Sequence, residues 1–142
     1  MGYYSDVACV FTPEGYEKFK EIFSEKIKEY WKDYPYKDTD HPDIMENNML
    51  NYSDISPDGF VLLEKTDKKW YEDSVYFPDV RAFMSALNEL DDDSYKYLRM
   101  GENNDDNEEL GGLYDEPFGV GIIRRIEVSN RFENSESIGM EI

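Results

Sequence analysis

Cysteine is nearly absent from this chain of 142 residues: Cys9 stands alone, so no intrachain disulfide can form. Its setting, Val7-Ala8-Cys9-Val10-Phe11, is that of a buried thiol in a reducing compartment, and a cytoplasmic location is expected. Histidine is as scarce. His41, the only one, precedes Pro42 in a polar stretch and belongs to no Ser-His-Asp or Cys-His spacing, so no catalytic role is expected of it. No run approaches the roughly 18 apolar residues of a membrane helix, and the opening residues lack the basic and apolar regions of a secretion signal. Asp6 stands where a myristoylation motif after Gly2 needs Ser or Thr, so no membrane attachment is expected. The patterns GxGxxG, GxxxxGK[ST], HExxH and CxxC are all missing, which removes the common dinucleotide, nucleotide-phosphate, zinc-protease and redox readings. The expectation is a protein without cofactor or metal that is not an enzyme.

Positive charge is the scarcest of all relative to its opposite. Fifteen Lys and Arg face thirty-three Asp and Glu, a formal charge of −18. Solubility of a small domain asks for a magnitude of only about 2 to 8. A mean hydropathy of −0.78 with such charge is found in disordered chains. Here, however, aromatics make up 15% of the residues, twelve of them Tyr, and they recur at periodic positions. That pattern indicates a folded domain with acidic loops.

Tyr3 to Phe11 is a short apolar run stopped by Thr12-Pro13, the mark of a buried strand. Thr12 suits an N-cap and Pro13 the first helical position. Tyr16, Phe19, Ile22, Phe23, Ile27, Tyr30 and Trp31 then follow a period of 3.6 towards Pro35. Residues 33–59 form a polar excursion with at most a short turn around Ile44 to Leu50. Phe60 to Leu63 and Trp70 to Phe77 read as two strands joined at Thr66-Asp67-Lys68. Pro78-Asp79 opens a second helix through Val80, Phe83, Met84, Leu87 and Leu90, which Asp91-Asp92-Asp93-Ser94 ends. Tyr95 to Met100 and Gly119 to Val128, the latter with Val120, Ile122, Ile123, Ile126 and Val128, supply further strands on either side of an acidic loop, 102–117. This order predicts an α+β domain over residues 1–129. Its mixed or antiparallel sheet of four to five strands carries two helices on one face in a ferredoxin-like sandwich. Residues 130–142 are expected to be a flexible tail.

The charge is unevenly placed. Residues 1–70 hold fifteen acids against nine bases, and residues 71–142 hold eighteen against six. Between Asn88 and Glu116, eleven acids face only Lys96 and Arg99. A calcium loop is one reading of Asn103 to Glu109, but counting from Asn103 puts Glu108 where an EF-hand needs Gly and Tyr114 where it needs the bidentate Glu. The preferred reading is a partner-binding surface in which carboxylates stand in for phosphates. It comprises Asp91, Asp92, Asp93, Glu102, Asp105, Asp106, Glu108, Glu109, Asp115 and Glu116, with Tyr95, Tyr97 and Tyr114 as anchors and Trp70 and Tyr71 as further candidates. A second acidic row, Glu17, Glu21, Glu25 and Glu29, recurs at one-turn spacing on the first helix. There Lys18, Lys20, Lys26, Lys28 and Lys32 favour an ordinary salt-bridged face.

The segments Tyr3-Tyr4-Ser5-Asp6-Val7-Ala8 and Tyr97-Leu98-Arg99-Met100-Gly101-Glu102, running into an Asp/Glu/Asn loop, resemble small acidic proteins of bacteriophages and other mobile elements. The resemblance spans under a fifth of the chain and carries no catalytic motif. It implies a DNA-mimicking inhibitor of anti-CRISPR or anti-restriction type, acting in a bacterial cytosol on a basic nucleic-acid-binding protein; the formal charge of −18, which repels polyphosphate, adds the expectation that the chain binds no nucleic acid itself. An immunity protein or antitoxin neutralising a basic nuclease would carry the same surface. A small metal-dependent hydrolase is the alternative of a different class, and oligomeric state is open.

Overall fold

The computed structural model of the chain describes residues 3–37, 41–103, 105–122 and 126–132. Its centre is strand β1 (Tyr4–Phe11), whose Val7 to Phe11 are buried on both faces. A run apolar at every position, rather than at alternate ones, is what a central strand covered on both sides requires. Helix α1 (Pro13–Trp31) follows at once, with Thr12 Oγ1 accepting from the Gly15 N–H at 3.0 Å and Pro13 in the first turn. Its stripe of Tyr16, Phe19, Phe23 and Ile27 is buried.

The polar excursion contains more structure than its composition suggests. Helix α2 (Pro42–Leu50) buries Met49 and half-buries Met45 against the core beside α1, and strand β2 (Asp54–Ile55) pairs with the next strand. His41 occupies the N-cap position of α2, exposed and without a side-chain capping bond.

Strand β3 (Val61–Lys69) runs unbroken through Thr66-Asp67-Lys68, where two strands and a turn are predicted. The turn-favouring residues make a bulge instead. Asp6 of β1 faces both Thr66 and Asp67, Asp67 takes a φ of 52°, and its N–H donates to Asp6 Oδ1 at 2.8 Å. Trp70 to Phe77 is therefore a connecting loop. The two edges of β3 are already taken by β1 and β2, so the sheet has no place for a further strand there. Helix α3 (Pro78–Asn88) returns the chain, a 3₁₀ turn (Asp92–Ser94) follows, and strand β4 (Tyr95–Gly101) pairs with the free side of β1. Strand β5 (Asn107–Leu110) then doubles back on β4. Gly111 ends it at φ +87°, where a Cβ would collide with the Tyr95 carbonyl.

The resulting sheet has the order β2-β3-β1-β4-β5 with every neighbour antiparallel. Its first four strands carry the β-α-β-β-α-β succession of a ferredoxin-like sandwich, and β5 widens it by one. Helices α1, α2 and α3 share one face, over Val7, Cys9, Phe11, Val61, Leu63, Tyr95 and Tyr97. Cys9 is fully buried in this layer, and burial pushes its thiol well up from the ordinary value.

The region expected to give a last strand forms a separate hairpin, β6 (Val120–Ile122) with β7 (Ile126–Val128). It lies over the face opposite the helices. There Leu113, Phe118 and Val120 cover Ala8, Val10, Leu62 and Leu98. The segment after β7 is also held: Arg131 grips Glu64 through two bonds of 2.9 and 3.1 Å, and the Phe132 N–H donates to the buried Asp54 at 2.7 Å. Ile123, Asn104 and the rest of the expected tail, 133–142, lie outside the described residues.

Candidate functional site

The acidic segment is built around the β4–β5 hairpin and divides into two populations. Seven of the ten carboxylates singled out by sequence, Asp91, Asp92, Asp93, Glu102, Asp105, Glu109 and Asp115, are exposed. Asp91 to Asp93 surround the 3₁₀ turn at the start of β4, and the Gly112 N–H donates to the Asp92 carbonyl at 2.6 Å, which brings the exit of β5 to that same end. Glu102 and Asp105 lie in the turn at the far end, with Glu109 between the ends on the edge strand. Along this rim the only anchor aromatic open to solvent is Tyr114, 83% exposed.

The other three carboxylates are turned inward. Asp106 takes two bonds from the Arg99 guanidinium, Nη2 at 2.8 Å and Nη1 at 3.2 Å, and a third from the Tyr3 hydroxyl at 2.6 Å. The Arg99 bonds, then that of Tyr3, hold its carboxyl down at about 2. Glu108 receives Arg99 Nε at 3.2 Å. The Glu116 side chain is 1% exposed and accepts from the N–H groups of Phe118, Gly119 and Val120 at 2.7, 2.9 and 2.8 Å, and from Lys96 Nζ at 3.2 Å. Lys96 and Arg99, the segment's only cations, are thus consumed inside the fold, with side chains 18% and 16% exposed. The outer rim keeps its carboxylates without them.

Tyr95, Tyr97 and Trp70 belong to the helix-side core, so they pack the sheet and cannot anchor a partner, while Tyr71 is half-buried. The reason is the strand parity set by β1: Phe11 faces Tyr95 and Cys9 faces Tyr97 across the ladder, on the side that the helices cover. Burial pushes the Tyr97 hydroxyl well above its usual value. Glu17, Glu21, Glu25 and Glu29 are all exposed on α1. Exposed Lys18 and Lys28 share that helix and exposed Lys32 caps its end, Glu17 pairs with Lys20 at 3.0 Å, and Lys26 reaches Glu89 at 3.3 Å.

One participant is invisible to the sequence reading. Glu72, in loop 70–77, is half-buried, and burial followed by the negative charge of Glu108 raises its carboxyl to about 7. Nothing in the local sequence marks it, because that charge comes from β5. Among the described residues, no group of three or more His, Cys, Asp and Glu has the arrangement to hold a metal ion.

The architecture thus defines an antiparallel α+β sandwich with a widened, carboxylate-bearing edge. Comparison with protein-family models, with curated proteins and with solved structures finds no match to this chain.

Proposed function

We propose that the protein is an inhibitor that binds the cationic groove of a nucleic-acid-binding defence protein, such as a CRISPR effector, a restriction enzyme or another nuclease. Its acidic edge would stand where phosphates otherwise lie. The observation that carries this reading is the division of the carboxylates: Lys96 is satisfied by Glu116 in the cover of the sheet and Arg99 by Asp106 and Glu108 within the hairpin, leaving Asp91, Asp92, Asp93, Glu102, Asp105, Glu109 and Asp115 exposed around it. Unopposed like charge carries a cost in self-repulsion that a cationic partner relieves. Tyr114, the most exposed large hydrophobic side chain among the described residues, supplies a rigid aromatic body beside Asp115 for the desolvated centre of the contact.

The test is displacement. Labelled duplex DNA is bound to each member of a panel of purified restriction and CRISPR nucleases, and the protein is titrated in. Displacement from at least one nuclease that weakens as salt rises is the expected result. Replacing Glu102, Asp105, Glu109 and Asp115 together by Gln or Asn should weaken it by about 1–4 kcal/mol, taking rim charges at a fraction of a kcal/mol up to about one each. Failure to displace DNA from any member, or tight binding of DNA by the protein itself at physiological salt, removes the reading.

A further inference from the structure

The five-stranded sheet ends differently on its two sides. At one side β2 is two residues long, and its fully buried Asp54 accepts the Phe132 N–H at 2.7 Å, so chain from beyond β7 lies against it. At the other side β5 closes the order β2-β3-β1-β4-β5 with no strand beyond it. Open edges invite a further strand, and proteins ordinarily blunt them.

The backbone groups that β5 turns outward follow from the bonds at the ends of its neighbours. The Thr12 N–H donates to the Ser94 carbonyl at 3.0 Å, so in β4 it is Lys96, Leu98 and Met100 that bond β1. The Gly101 N–H donates to the Asp106 carbonyl at 2.8 Å, so Arg99 and Tyr97 bond β5 at Glu108 and Leu110. Both bonds give the same parity, and the main chain of Asn107 and Glu109 points away from β4. Glu109 is exposed, and its outward N–H and C=O have no partner among the described residues.

Charge decides what can pair there. Edge strands are commonly guarded by Lys, but this one is guarded by acid. Exposed Glu109 stands on the strand, Glu102 and Asp105 in the turn before it, and Asp115 with the acids of the 3₁₀ turn at its far end. A second copy of a chain of formal charge −18 would bring the same carboxylates edge to edge. A strand that carries Lys or Arg meets opposite charge along its length instead.

We propose that β5 is a docking edge, to which an extended cationic segment of the partner adds a sixth strand opposite Asn107 to Leu110. The partner's positive charge rests on the function proposed above; the manner of binding goes beyond it. Ion pairs with the rim bring the segment in and orient it, and hydrogen bonds to the Glu109 main chain hold it in register. Gly111, at φ +87°, ends the edge on one side and the turn before Asn107 ends it on the other, so the added strand is short.

The test separates main-chain bonding from charge. A decapeptide of alternating Lys and Thr is titrated into the unsubstituted chain, alongside the same peptide N-methylated at every amide, which keeps the charge and loses the donors. The plain peptide is expected to bind at least about tenfold more tightly. It should slow amide exchange at Glu109 and leave Glu108 and Leu110, already bonded to β4, unchanged. Glu109→Gln should weaken both peptides and keep their ratio, because the main chain is intact. Equal binding of the two peptides, binding of neither, an unchanged Glu109 exchange or a ratio lost in Glu109→Gln overturns the docking edge. Displacement of DNA from a nuclease reads the acidic rim independently of these outcomes. A chain that holds the plain peptide at Glu109 yet displaces no DNA keeps the docking edge and loses the phosphate-mimicking role.

Discussion

The two faces of the sheet are covered by different means. On the helix side a continuous ring network fills the layer: Phe11 to Phe19 at 4.7 Å, Phe19 to Phe83 at 5.0 Å, Phe83 to Trp70 at 5.3 Å and Phe83 to Tyr97 at 6.5 Å. The helices that deliver these rings satisfy their own backbone groups, so apolar packing alone can dock them. On the opposite face Leu113, Phe118 and Val120 ride on irregular chain and a short hairpin. Such chain cannot satisfy its own amides, and side chains do it instead: Glu116 takes three N–H groups, Asp54 takes that of Phe132, and Glu64 anchors Arg131. Part of the acid surplus is therefore internal fastening.

The largest expected difference between the faces comes from emptying their centres. Phe83→Ala removes a ring touched by Phe19, Phe23, Trp70 and Tyr97, and should cost about 3–5 kcal/mol in urea unfolding. Phe118→Ala, also at a fully buried site, should cost about 3 kcal/mol, the low end of that range, because an irregular cover can settle into the space. An equal or larger loss at Phe118 would show the two faces to be packed alike.

A step smaller is the fastening itself. Glu116→Gln removes the charge that three amides and Lys96 converge on, and should cost about 2–3 kcal/mol, with faster amide exchange at Phe118 to Val120. Its neighbour Asp115, exposed on the rim, should change stability by less than about 0.5 kcal/mol when replaced by Asn. If both substitutions behave as surface changes, the cover is not held by Glu116.

The smallest effect is a slope with pH. Asp106 is held down at about 2 by Arg99 and Tyr3, so its contribution to stability is present above its ordinary 3.8 and fades as the pH falls through about 2. Glu72, under the charge of the same guanidinium, contributes with the opposite sign across the window from 4.5 to about 7. Acid unfolding of Asp106→Asn should lose the acid-side slope and keep the one near neutrality. A curve that changes in both windows would mean that Arg99 couples them.

Helices α1 and α3 and strands β1 and β4 are legible as sequence because each carries its own period: an apolar residue every three or four positions, a run apolar throughout, or an alternation of Tyr and Leu with Lys and Arg. Helix α2, with only Met49 fully buried, and β2, two residues long, have too little pattern to be seen. Strand β5 is harder still. Asn107-Glu108-Glu109-Leu110 has poor strand propensity and reads as an acidic loop, yet it pairs because β4 offers an open edge and Arg99 offers a charge to Asp106 and Glu108.

Composition and periodicity by themselves determined the α+β class, the helix-covered sheet, the buried Cys9 and the concentration of negative charge between Asn88 and Glu116, since each depends on residues near one another in sequence. Only the tertiary structure decided which carboxylates face solvent, and which serve as acceptors for Lys96, Arg99 and irregular backbone. Apart from the Glu116 amides, two to four residues away, those outcomes depend on pairings across 7 to 78 residues of chain, which strand order and loop course impose and no local pattern records. The physical reason is that a carboxylate's role is set by the donors and charges around it, and folding, not sequence proximity, brings those together.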